Sequence, residues 1–395
     1  MAHQNNANNT SLTWGGVAAN KGTPDSTTTA HRRALYLKLF SGELFKGFQR
    51  NTIARDLITK RTLTNGRSLQ FIFTGRTNSE FHVPGQNILG NTDGAPPVAE
   101  VTIECDDLLI SSAFVYELDE TLAHYDLRGE ISRKIGYALA ENYDRRIFRA
   151  ITKAARQASP IQKTNFNEPG GTQIRVGTSA EGSNAYDADK LVNAFYDAAA
   201  ALDEKGVSTE GRVGVLNPRQ YYELIQAVRS NGLVNRDVQG DALQSGNGII
   251  EIAGIKIYKS MNIPFFGKFG TKYGGSGATG TGVTDPGNSG SFVSEDMGNQ
   301  AESASGAPDG QRTVNDYGEG NKFDNSCGLI FQKEAVGCVE AIGPQVQVTS
   351  GDVSVIYQGD VILGRLAMGA APLNPAAAVE LIAGIAPNTG VAQAF

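Results

Sequence analysis

The run RSLQFIF at 67–73 sets Leu69, Phe71 and Phe73 against Ser68, Gln70 and Ile72, the two-residue period of a half-buried strand. A second extended run follows at Val98–Ile103. Between them lies TGRTNSEFHVPGQNILGNTDGAPP, rich in Gly, Pro, Asn and Thr, with isolated apolar residues Phe81, Val83, Ile88 and Leu89. Two strands joined by such a segment predict a hairpin-like extension with little core of its own, whose apolar residues need an external cover.

The strongest helical signal begins near Leu127 and stops before Pro160. Leu127, Ile131, Ile135, Leu139, Tyr143, Ile147 and Ile151 recur at every fourth position and form one apolar stripe. Arg128, Arg133, Arg145, Arg149 and Arg156, mixed with Glu130, Glu141 and Asp144, predict that much of the remainder is a solvated or interface face. About 30 residues at roughly 1.5 Å each make a rod on the order of 45 Å long, a spine for the domain.

Further on, Leu191, Phe195, Ala199 and Leu202 predict a second helix that Gly206 ends. GRVGVLNP reads as a buried strand entering a helix near Pro218 that carries Tyr221, Leu224, Ile225 and Val228. IIEIAGIKIYKSMNIP predicts a strand pair turning at Gly254, CGLIFQKEAVGCVE restores strand character, and Val353, Val355, Tyr357, Val361 and Leu363 extend it. Glycine interrupts the helical spacing of ALYLKLFSGELFKGFQRNTI at Gly42 and Gly47, so short helical pieces are expected there. Residues 1–33 read as a flexible arm, and 267–322, dominated by Gly, Ser, Thr, Asp and Asn, as a surface insertion.

Composition narrows the function. With 395 residues, 40% of them hydrophobic, the chain can bury a real core, and its 47 glycines point to long loops. A net charge of −6 has the wrong sign for coating nucleic acid by neutralising phosphates. The N-terminal residues show neither the basic start nor the apolar core of a secretion signal. No apolar run reaches the roughly 20 residues that span a bilayer, so no membrane association is expected. Cys105, Cys327 and Cys338 form no CxxC pair and read as buried reduced thiols.

Candidate chemistry is sparse. Gly275, Gly277 and Gly280 match GxGxxG but lack the strand before and the helix after that would aim amides at a pyrophosphate, so a flexible loop is the better reading. His3, His31, His82 and His124 are scattered, and none has a second ligand at metal spacing. His124 with Asp126 could be an acid/base pair, but a helix cap by Asp126 is the plainer reading. Glu104, Asp106 and Asp107, and Glu117, Asp119 and Glu120, read as solvated carboxylates. The basic residues His31, Arg32, Arg33, Arg50, Arg55, Lys60, Arg61 and Arg67 could touch nucleic acid or an acidic partner, though interspersed charge usually marks a solvated face. No catalytic residue, cofactor or metal is expected.

An ordered series of segments does carry information. ALYLKLFSGELFKGF at 34–48, TGRT at 74–77, VPGQN at 83–87, LDETLAHYDLRGEISRKIG at 118–136, IAGIKIYKSMNIP at 252–264, GLIFQKEAVGCV at 328–339 and YQGDVILGRLAMGAAPLNPAAA at 357–378 together resemble the major capsid proteins of short-tailed, T-seven-like double-stranded DNA phages, in that family's order. A cyanobacterial phage is one source compatible with this. The resemblance implies an α+β protein of the Hong Kong-phage capsid fold. Its parts would be an N-terminal arm (1–50), a connector (51–61), an extended loop (62–104), a peripheral domain (105–185) with a spine helix at 127–159, an axial domain (186–335), and a last segment (336–395) made of strands at 336–370 that return to the peripheral domain, followed by the C-terminus.

It further implies a shell subunit that assembles with itself into pentamers and hexamers, with a scaffolding protein, a portal protein and packaged DNA as partners. Gly75, Arg76, Thr77, Phe81, Val83, Pro84, Gly85, Gln86, Ile88 and Leu89, with Arg133, Arg145 and Arg149 on the spine helix, are the expected subunit interface, Arg76 being a candidate inter-subunit ion pair. Some relatives of the fold weld the shell through a loop lysine; none occurs between Lys60 and Lys134, so a non-covalent shell is expected. The competing readings are a bacterial nanocompartment shell, a nucleotide-dependent enzyme using the 275–280 glycines, and a surface adhesin.

Overall fold

The computed structural model describes residues 53–77, 81–85, 96–106, 108–117, 127–163, 166–177, 182–231, 250–263, 326–348 and 358–382. The arm, the glycine-rich insertion, the helical pieces expected at 34–48, the His124–Asp126 pair and the run Val353 to Tyr357 lie outside them. The chain runs through strands β1 (Thr59–Thr62), β2 (Ser68–Thr74), β3 (Val98–Glu104) and β4 (Leu109–Tyr116) to the long helix α1 (Leu127–Arg156). Short strands β5 (Gln162–Lys163) and β6 (Phe166–Asn167), strand β7 (Thr172–Arg175), helix α2 (Ala188–Glu204), strand β8 (Arg212–Leu216) and helix α3 (Pro218–Asn231) follow. Strands β9 (Ile250–Ile252), β10 (Ile255–Lys259), β11 (Ser326–Gln332), β12 (Val336–Val348), β13 (Gly359–Pro372) and β14 (Ala378–Ile382) complete it.

Counting described residues only, two compact units emerge. One takes those within 108–142 and 342–367; the other takes those within 53–106, 143–341 and 368–382, so the boundary falls within α1. In the first unit β4 and β13 pair antiparallel from Gly359↔Tyr116 to Leu366↔Leu109. Helix α1 lies close on that ladder at Gly364, where a Cβ would meet Ile135 Cγ2 at 2.4 Å and Leu139 Cδ1 at 2.8 Å. Ile135 and Leu139 of the predicted apolar stripe therefore find their cover on a strand that omits a side chain to admit them.

The second unit is built on a mixed six-stranded sheet in the order β7-β14-β11-β8-β10-β9. Helix α2 starts where the Asp187 carboxylate accepts from the amides of Asp189 and Lys190 and stops at Gly206, whose φ of +70° suits glycine. Leu191, Phe195 and Leu202 of α2 and Tyr221 and Leu224 of α3 share a buried cluster with Leu216, Ile255, Ile257 and Ile330 of the sheet. Ala253 and Gly254, both with positive φ, turn β9 into β10 in the two-residue manner of a tight hairpin.

One boundary shifts here. The spine helix ends at Arg156 rather than 159, because the Gly171 amide donates to Gln157 O (2.8 Å) and its bare Cα lets the crossing backbone approach Ala154 O, which a Cβ would meet at 2.3 Å. Beyond the expected return strands, β14 sits inside the six-stranded sheet, paired antiparallel with β11 and parallel with β7.

Candidate subunit interface

The predicted hairpin forms. β2 and β3 pair antiparallel from Ser68↔Glu104 to Thr74↔Val98. Alternation then sorts the side chains: Phe71 and Ile103 turn inward and are buried with Val339 of β12, with Leu63, Leu69 and Leu373 packed around them. Gly337 makes room for this base, since a Cβ there would sit 2.7 Å from Ile103 Cδ1. The Arg61 guanidinium lies 5.2 Å from the Phe71 ring centroid, a cation–π contact. On the opposite face Ile72 is 75% exposed and Val98 62%; beyond the ladder Phe81 is fully exposed and Val83 more than half.

At the hairpin's root, Gly75 donates its amide to Pro97 O (2.8 Å), and the next residue leaves the ladder. The Arg76 amide donates to Glu168 Oε1 (2.5 Å), its Nε lies 3.5 Å from Glu168 Oε2, and its Nη2 donates to the carbonyl of Lys205 at the end of α2 (2.5 Å). Arg76 thus finds an acidic partner within its own chain. Thr77, Phe81, Val83, Pro84 and Gly85 are exposed; Gln86, Ile88 and Leu89 lie outside the described residues.

Along α1 the charged residues divide. Arg133 and Lys134 are exposed and share Glu130 at 3.3 and 3.9 Å, beside exposed Tyr137, while Arg128 pairs with Asp360 at 2.7 Å. From Tyr143 to Ala155 only Lys153 is not buried. Arg145 and Arg149, expected on an exposed face, are each 7% exposed, because this half of the helix belongs to the second unit and is packed within it. Asp106, read as a solvated carboxylate, is likewise buried, 3.6 Å from the Arg146 guanidinium.

Three polar anchors were not legible in the sequence. The buried Asp144 carboxylate accepts from the amides of Ile53 (2.8 Å) and Ala54 (3.2 Å) and ties the described N-terminal end to the spine. Tyr143 donates to Glu340 Oε1 (2.7 Å), which also takes the Arg55 guanidinium; burial pushes the Glu340 carboxyl up, but these bonds outweigh it and hold the group low. Arg156 and Glu380 form the third. Each joins residues far apart in sequence, so no local spacing signals it. Burial pushes the Cys338 thiol up to about 12 and raises Cys327 as well; these two are the buried thiols expected, whereas Cys105 is half-buried. Among the described residues no group of His, Cys, Asp and Glu is arranged to hold a metal, and no helix is long and apolar enough to cross a membrane.

An antiparallel hairpin, a 30-residue helix and a separate α/β sheet make up the architecture of a phage capsid subunit, and the chain superimposes on such structures. The capsid of cyanophage P-SCSP1u matches with a TM-score of 0.66 and 28% identity, covering 93% of this chain and 100% of that one. The mature capsid of bacteriophage PhiM1 matches with a TM-score of 0.59 over 89% and 93%, at 14% identity, a likeness of fold alone. The fold is thus the α+β Hong Kong-phage capsid fold.

The chain belongs to the Gp10A-like family of major capsid proteins, whose sequence profile matches residues 71–302. The major capsid protein of Escherichia phage T7 is 25% identical over 357 residues, 88% of this chain and 92% of that protein. That of Enterobacteria phage T3 is 31% identical over 124 residues, 31% and 35% of the two chains. Family membership decides between the phage shell and the nanocompartment in favour of the phage.

Proposed function

We propose that this major capsid protein self-assembles in the host cytoplasm into the pentamers and hexamers of an icosahedral head around double-stranded DNA, and that the shell closes without covalent cross-links. The carrying observation is the uncovered apolar surface on the extended hairpin: Ile72, Val98, Phe81 and Val83 face outward on an element whose inner face already packs against its own subunit. A sister copy is the natural cover. The exposed half of α1 offers Arg133, Lys134 and Tyr137, while the outer face of the hairpin adds Glu100 to its apolar residues, so charge and apolarity are complementary.

On this reading residues 75–90 of one subunit lie over the amino-terminal half of a neighbour's α1. An interface on the order of 1,600 Å², repeated around the shell, supplies stability by repetition. The chain's negative charge suits a wall along which DNA slides, with weak, non-specific contact. A scaffolding protein during assembly and a portal at one vertex complete the set of partners. The absence of lysine between Lys60 and Lys134 favours non-covalent closure.

Co-expression with the phage's scaffolding protein, followed by electron microscopy and sedimentation, tests this. Wild type is expected to form closed shells that run as monomer on a dissociating gel, and deletion of 76–90 to leave folded, soluble, unassembled subunits. Normal shells from the deletion would overturn the interface; a ladder of linked species would overturn non-covalent closure.

A further inference from the structure

Arg76 stands where the hairpin stops being a ladder and becomes a loop. Its predecessor is immobilised: Gly75 closes the strand pair through Pro97 O, and a Cβ there would meet Pro97 Cγ at 2.8 Å and Ile161 Cδ1 and Glu168 Oε1 at 3.1 Å. The next amide turns away from the opposite strand to the Glu168 carboxylate, which is itself buried and also faces the guanidinium. The far end of the same guanidinium reaches the Lys205 carbonyl at the carboxyl end of α2, where unpaired carbonyls and the helix dipole favour a cation.

That carbonyl is fixed in turn. The Lys205 ammonium donates to Gly170 O (2.6 Å) and to Thr172 Oγ1, and the Lys205 amide bonds back into α2.

We infer that Arg76 is a positioning residue of this chain, a latch that fixes the direction in which the extended loop leaves the subunit by bridging Glu168 and the end of α2. The hairpin base does not depend on it, because Phe71, Ile103 and Val339 hold that base through apolar packing. Opening the latch therefore leaves the subunit folded and spreads the loop over more directions. A loop aimed in advance loses less freedom on docking, so the latch lowers the concentration at which subunits associate. This last consequence rests on the proposed assembly through residues 75–90.

The test uses the full-length, unassembled subunit. In Glu168→Ala, exchange of the Arg76 amide and tryptic cleavage after Arg76 are expected to rise by roughly tenfold or more, as for loss of a charge-assisted hydrogen bond. Exchange at Phe71 and the melting temperature should hold. The concentration of subunit required for shells should then rise severalfold, with Arg76→Lys intermediate. Unchanged exchange and cleavage would sink the latch; faster exchange with an unchanged assembly threshold would sink its positioning role. Should Glu168→Ala fail to fold, Arg76→Gln, read by exchange at Thr77 and by assembly threshold, separates the same outcomes. Wild-type subunits that never assemble would count against the proposed function, and the exchange result would still judge the latch.

Discussion

The Arg156 guanidinium grips the Glu380 carboxylate with two hydrogen bonds, Nε to Oε2 at 2.7 Å and Nη2 to Oε1 at 2.6 Å, joining the end of the spine helix to a strand inside the six-stranded sheet. Glu380 has no solvent exposure, and Gln173 Nε2 (2.8 Å) and the Ser326 hydroxyl also donate to it. Four donors from three separate elements thus converge on one carboxylate.

Removing that carboxylate strands a buried guanidinium. Glu380→Ala is expected to cost about 3–5 kcal/mol in urea unfolding of the isolated subunit. A loss below about 1 kcal/mol would show that the pair is not a structural tie.

Gln220 presents the reverse case. It is fully buried on α3, and neither amide atom has a hydrogen-bond partner among the described residues. Gln220→Met conserves length and removes two unsatisfied groups, so the subunit should gain on the order of 1–3 kcal/mol, read as a higher urea midpoint at unchanged slope. A destabilised variant would contradict the assignment.

Burial pushes the Lys205 ammonium down to about 8 from 10.5. Between those values the unfolded chain holds more protons than the folded one, so this group's contribution to stability rises as pH climbs from about 8 to 10.5, its cost being fully present below that window. Wild type compared with Lys205→Gln should therefore gain relative stability from pH 8 to 10. A flat difference across that range would refute the shift.

Thiol chemistry should be just as selective. Cys327 and Cys338 are buried with raised thiols, and Cys105 is half-buried. A thiolate-selective reagent at pH 8 is expected to label Cys105 first in the folded subunit and all three in urea, as peptide mapping would show.

Local periodicity sufficed for the elements themselves. The alternation through Leu69, Phe71 and Phe73 made a strand with one covered face, and the fourfold spacing from Ile135 to Ile151 made the helix stripe, because strand and helix geometry impose those periods on any chain. Turn and stop positions at Gly206 and Gly254 were legible for the same reason, each requiring a backbone angle that glycine adopts freely.

Tertiary structure alone decided which polar residues are structural. Arg76 meets Glu168 and Lys205 across 92 and 129 positions, and Arg156 meets Glu380 across 224. A solvated arginine and one buried against a distant carboxylate look alike in sequence, so Arg145 and Arg149 read as exposed yet lie buried. Periodicity reports which side of an element faces inward, whereas the partner of a charge depends on how remote segments are brought together, and only the folded chain does that.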